Sequence, residues 1–182
     1  MLVGSMAVGK TTTGQRLARH LGRPLRDSDN DLERHTATTA RELAQRHGVA
    51  ALHRLEARQL LDGLASKTPS VIAAAASVVE DERCMRALRA PFVVWLRAGP
   101  ETLLRRIGRG EHRRMLGDDV AGALAALEAR RAPRYERLAD LVVDVDDLDP
   151  EGVARRVLAA LPRPWRTAGA DAPRGRRRHE PR

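Results

Sequence analysis

The chain has 182 residues, 42% of them apolar and 31% charged, which suits one globular domain and excludes a disordered or fibrous polypeptide. Its longest apolar stretch, VIAAAASVV at 71–79, is too short to span a bilayer, and Cys84 is the only cysteine, so an intrachain disulfide and a CxxC metal site are excluded. The net charge of +9 is uneven: seven arginines against Asp171 and Glu180 place +5 in residues 163–182.

No basic segment followed by an apolar run opens the chain, so a cytoplasmic monomer without a membrane partner is expected. The first element is a short buried strand, MLV, and an upstream start is expected because only three residues precede Gly4. GSMAVGKT at 4–11 then fits G-x-x-x-x-G-K-[ST]. Glycines let such a loop curl so that successive backbone N–H groups point inward at phosphate oxygens. The lysine reaches the β- and γ-phosphates as a compact charge, and the threonine hydroxyl suits Mg²⁺. Lys10 is one of 2 lysines beside 31 arginines, so mere positive charge does not explain it. At this composition the motif arises by chance in roughly one chain in a thousand. Gly4, Ala7, Val8, Gly9, Lys10, Thr11 and Thr12 are the expected nucleotide contacts. A helix over 10–21 follows, with Leu17, Ala18 and Leu21 on one face and Gly22 as its stop.

An extended piece at 24–27 leads into PLRDSDNDLER. Asp27 and Asp29, two apart at a strand end, can face one pocket, where they would hold Mg²⁺ or accept a substrate proton. An acid-rich helix N-terminus is the alternative. Helices are expected at 29–35, 39–47 and 49–65, a buried strand at 70–74, a helix near 80–89 and a strand at 92–96. Pro100 opens a helix over 100–108, and RGEHRRMLG at 109–117 reads as a mobile arginine-rich loop. A helix over 118–139, the strand LVVDV at 141–145 and a helix from Asp149-Pro150 to Leu161 complete the order. Strands alternating with helices imply a parallel sheet covered on both faces. From Pro162 the chain is Pro/Gly/Ala/Arg and is expected to be a disordered basic tail, leaving 1–161 as the domain.

This order of motifs resembles the shikimate kinase family: the phosphate loop, D-S-D-N-D-L-E, Gly48, RRML at 113–116 and RRAPRY at 130–135. The resemblance implies an α/β fold of the three-layer P-loop kinase type, with about five parallel strands, helices on both faces and a mobile lid. It implies ATP-dependent phosphorylation of a small, carboxylate-bearing alcohol. Carried over, Lys10 and Thr11 hold ATP·Mg²⁺ and Asp27 helps place the metal. Asp29 binds the acceptor hydroxyl and takes its proton, Arg113 closes the lid over the phosphates, and Arg131 pairs with the acceptor's carboxylate. The plainer alternatives are a solvated surface charge for Arg113 and an ion pair with Glu128 for Arg131.

Two departures fall in the acceptor half. Leu52-His53 stands where the family has Phe-Arg, replacing a guanidinium fork with an imidazole that is mostly neutral at pH 7. Ala75, Ala76 and Ser77 stand where the family has three glycines, so each Cβ blocks close approach and any position with φ > 0 is strained. We expect a kinase with shikimate as the leading acceptor and an altered acceptor site. The alternative is an ATP-binding regulatory protein of the same fold that transfers nothing. Nucleic-acid association through the tail is disfavoured, because aromatics are 2% of the chain and none lies in the last seventeen residues. His20, His35, His47, His112 and His179 show no metal-ligand spacing and read as surface residues. Among the histidines, the resemblance places His53 alone in a pocket.

Overall fold

The structure is a computed structural model and describes residues 1–108, 116 and 118–166. Five strands, β1 (Leu2–Val3), β2 (Leu25–Asp27), β3 (Val71–Ala73), β4 (Val94–Arg97) and β5 (Leu141–Asp144), form one parallel sheet in the order β2-β3-β1-β4-β5. Side chains alternate across it, as a period of two requires. Leu2, Val94, Leu96 and Val143 enter one core, while Val3, Val93 and Trp95 enter the other with Tyr135 and Leu138. Both faces are therefore covered, which explains the unbroken apolar runs in the strand sequences.

The helices are α1 (Lys10–Leu21), α2 (Ser28–Thr36), α3 (Ala40–His47), α4 (Val49–Ala65), α5 (Glu82–Ala87), α6 (Pro100–Ile107), α7 (Val120–Leu138), α8 (Pro150–Ala160) and α9 (Arg163–Arg166). Local chemistry sets their starts. Asp27 caps α2 by accepting from the Asp29 and Asn30 amides, Thr39 and Glu42 form a reciprocal capping box on α3, and Asp149 caps α8 ahead of Pro150. Leu17 of α1 is buried against the sheet, worth about 2 kcal/mol at the usual area coefficient. At Gly14, on the same helix, a Cβ would come within 2.8 Å of the Leu25 side chain.

Three boundaries differ from the sequence reading. The helix expected near 80–89 is divided into a 3₁₀ turn at Ala76–Glu80 and α5, with Asp81 capping the latter. Ser77, Val78 and Val79 are buried there, so packing holds the turn before the helix can start. The helix expected over 118–139 runs from Val120 and passes through Pro133, anchored nearby by buried Arg131, Tyr135 and Leu138. The tail expected to be disordered from Pro162 first forms α9, where Trp165 packs on the core. Residues 167–182 and most of the expected lid, Arg113 included, lie outside the described residues. No helix among the described residues is long and apolar enough to cross a membrane.

Candidate active site

The carboxyl ends of β1, β2 and β3 open on one cavity of about 400 Å³, the position at which open parallel sheets present their ligand sites. β1 runs into the loop 4–9. A Cβ at Gly4, whose φ is 139°, would stand 2.4 Å from the Leu96 carbonyl oxygen, so the loop can cross β4 only with glycine there. Gly9, at φ 101°, turns the chain into α1. Ala7 adopts φ 60°, a left-handed conformation costing about 1 kcal/mol in a residue with a Cβ, and strain of this kind is retained where a loop is held for binding.

Lys10 folds back over this loop. Its Nζ donates to the Gly4 carbonyl at 2.9 Å and to the Ser5 carbonyl at 2.7 Å. Burial lowers its pKa to about 8, against the opposing pull of Asp29 and Asp27. Ser5 Oγ donates to Glu128, tying the loop to α7. Arg106 of α6 lines the same cavity and donates to the Val8 carbonyl at 3.0 Å, supporting the loop from its other side.

Thr11 Oγ1 donates to Asp27 Oδ2 at 2.7 Å, while Asp27 Oδ1 accepts from the amides at the start of α2. One carboxylate thus serves as helix cap and holds the threonine hydroxyl, so the alternative of an acid-rich helix start and a pocket role coincide in Asp27. Oxygen donors of this kind suit Mg²⁺, which keeps several waters and shares a substrate phosphate. No group of three or more His, Cys, Asp or Glu among the described residues could hold a metal ion without such help. Asp29 lines the cavity beyond Asp27.

The part of the cavity that the sequence reading expects to face the acceptor is lined by Asp29, His53, Glu56, Ala75, Ala76, Ser77 and Arg131. The strain considered for Ala75–Ser77 is absent: Ala75 has φ −57°, and the only non-glycine residues with positive φ among those described are Ala7 and Ala37. The segment is instead knitted into its surroundings. The Ala75 amide donates to Ser28 Oγ at 2.9 Å, Tyr135 Oη donates to the Ala76 carbonyl at 2.8 Å, and Ser77 Oγ donates to Glu56. Burial pushes the Glu56 carboxyl up to about 7, with Asp29 adding to the rise and the Ser77 hydroxyl opposing it.

Arg131 is 4% exposed and does not pair with Glu128. Its Nε donates to Glu80 Oε1 at 3.1 Å and its Nη2 to Glu80 Oε2 at 3.4 Å. His53 Nδ1 lies 3.8 Å from the same carboxylate. Burial and then Arg131 lower the His53 pKa, so the ring is neutral at pH 7, as its sequence position implied. Sequence reasoning missed Glu56, Glu80 and Arg106. Glu56 had a signal: an acid on the apolar face of α4, three residues after His53. Glu80 had none, because a 3₁₀ turn carries it to α7 across fifty-one residues.

Comparison with known proteins follows this geometry. The family model for shikimate kinase matches residues 6–162. A shikimate kinase of Coxiella burnetii is 33% identical over 170 residues, covering 91% of this chain and 92% of that protein. One of Symbiobacterium thermophilum is 34% identical over 164 residues, covering 88% and 94%. Among solved structures, shikimate kinase from Acinetobacter baumannii in complex with shikimate superposes with a TM-score of 0.82 at 28% identity, covering 86% of this chain and 88% of that one. The phosphate loop, the parallel sheet that carries it and these matches agree: the chain belongs to the shikimate kinase family, kinases that transfer phosphate to a hydroxyl group.

Proposed function

We propose that this chain transfers the γ-phosphoryl group of ATP, with Mg²⁺, to a hydroxyl of a small polyhydroxylated molecule, with shikimate the first acceptor to test. The reading is carried by one observation: Lys10, the Thr11–Asp27 pair and Asp29 line a single cavity together with Arg131. A volume of about 400 Å³ suits a small-molecule site.

Phosphoryl transfer needs charge neutralisation and in-line positioning more than covalent help. Lys10 supplies a charge that swings from the Gly4 and Ser5 carbonyls to the phosphates. The inward amides of the loop and the N-terminus of α1 hold the same anion. Thr11 and Asp27 would hold Mg²⁺, which would supply neutralising charge to the phosphates. Asp29 orients the acceptor hydroxyl and accepts its proton as the phosphoryl group departs toward it. Arg106 keeps the loop in shape through Val8. Arg113, outside the described residues, is assigned closure over the phosphates on its sequence match alone.

The test is ADP release by the purified chain with Mg²⁺, with and without shikimate, followed by a panel of small hydroxy acids and polyols. Acceptor-stimulated release that disappears in Lys10→Ala and Asp29→Asn is expected. ATP binding without stimulated turnover across the panel would instead establish a nucleotide-binding protein that transfers nothing.

A further inference from the structure

One face of α7 lies along the site. Leu124 packs in the core, Glu128 reaches the phosphate loop, Arg131 lines the cavity, and Tyr135 holds the Ala76 carbonyl at 2.8 Å. These positions recur every three or four residues, as one side of a helix requires. The helix that carries them is fixed: Arg131 pairs with Glu80, and the Tyr135 ring lies 5.8 Å from that of Trp95 in β4. Glu128 therefore meets the loop from an anchored element rather than as a loose surface acid. Its partner, Ser5, is 5% exposed. The Ser5 carbonyl accepts from Lys10 Nζ at 2.7 Å and from the Val8 amide at 3.4 Å, while its hydroxyl donates to Glu128. The phosphate-loop pattern leaves this position open to any residue, so the serine hydroxyl answers to α7 and not to the motif.

We infer that Glu128 is a positioning residue for nucleotide binding: through the Ser5 hydroxyl it fixes the phosphate loop at the residue whose carbonyl holds Lys10. The inference rests on the nucleotide half of the kinase reading above and not on the acceptor. Loop N–H groups bind phosphate only while they converge on it. A loop already held in that shape loses less freedom when a ligand arrives, so affinity rises without a new contact to the ligand. Arg106 holds the loop at Val8 from α6, and Glu128 holds it at Ser5 from α7. Releasing one of these supports weakens the grip on the phosphates and spares the rest of the nucleotide. A purely structural tie between loop and helix would alter stability and leave the affinity of the folded chain unchanged.

ADP and AMP separate these roles, because they differ in the β-phosphate that Lys10 would reach. Binding of each to the full chain is measured by calorimetry below the melting temperature, ADP directly and AMP by displacement. Ser5→Ala, which leaves the Glu128 charge in place, should weaken ADP by roughly fivefold to tenfold, up to the effect of one charge-assisted hydrogen bond, and AMP by less than about twofold. Glu128→Ala should weaken ADP likewise, and the double variant no further than either single one, because both lose the same bond. Glu128→Gln keeps an oxygen that accepts from Ser5 Oγ and should restore the ADP affinity. Unchanged ADP affinity in Ser5→Ala, equal losses for ADP and AMP, additive losses in the double variant, or a Glu128→Gln as weak as Glu128→Ala overturns the inference. Should Glu128→Ala fail to fold, the ADP-to-AMP ratio of Ser5→Ala decides it. A wild type that binds no ADP overturns the inference and the kinase reading together. One that binds ADP and transfers no phosphate removes the kinase reading alone, and the same affinities still judge Glu128.

Discussion

Glu56→Gln should make the protein more stable, and by an amount that depends on pH. The side chain is 7% exposed, and burial raises its carboxyl from 4.5 to about 7. Between those values the folded chain keeps a proton that the unfolded chain has released, so stability falls as pH rises through that window and levels off above it. Each pKa step of one is worth about 1.4 kcal/mol, which puts the full cost of ionising Glu56 at about 3 kcal/mol by pH 8 and about 1 kcal/mol at pH 5. Glutamine has no such titration and still accepts from Ser77 Oγ. Thermal melts at the two pH values are the assay. For a domain of this size the variant should melt roughly 6–12 °C above the wild type at pH 8 and only about 2–4 °C above it at pH 5. Equal margins at both pH values, or no gain at pH 8, would refute a buried carboxyl held near neutrality.

Lys10 titrates at about 8 in the free protein, and bound phosphates favour its charged form. ATP affinity should therefore be level below pH 8 and about tenfold weaker at pH 9 than at pH 7; a flat profile by fluorescence titration would contradict this. Gly4→Ala places a Cβ 2.4 Å from the Leu96 carbonyl in a backbone conformation closed to it, so denaturant titration should show a loss of about 3 kcal/mol or more. Tyr135→Phe strips the Ala76 carbonyl of its donor at 2.8 Å and should cost about 1–2 kcal/mol in the same experiment. Asp27→Ala removes both the cap of α2 and the partner of Thr11. It should lose about 1 kcal/mol of stability and raise the Mg²⁺ concentration needed for half-maximal turnover; an unchanged Mg²⁺ requirement would separate Asp27 from the metal.

Much of this protein is legible in short stretches of its sequence, because the responsible physics is local. The phosphate loop is read from GSMAVGKT, since its glycines, lysine and hydroxyl act within eight consecutive residues. The α/β order follows from strand runs such as FVVWL, from helix starts at Thr39 and Asp149-Pro150, each settled by a hydrogen bond three residues long, and from Pro100 in the first turn of α6. Asp27 and Asp29 were legible for the same reason. The long-range pairings around the expected acceptor residues were not. Glu80 reaches Arg131 and Ser77 reaches Glu56 across fifty-one and twenty-one residues, and no local pattern encodes a pairing of that range. Nor could spacing show that the alanines replacing glycine sit without backbone strain, because φ at Ala75 depends on the Ser28 and Tyr135 hydrogen bonds that hold its segment. Local chemistry wrote the nucleotide half into the chain. The charge balance facing the acceptor exists only once β3, α4 and α7 have packed around one cavity, because burial and long-range pairing decide which of its ionisable groups remain available to a ligand.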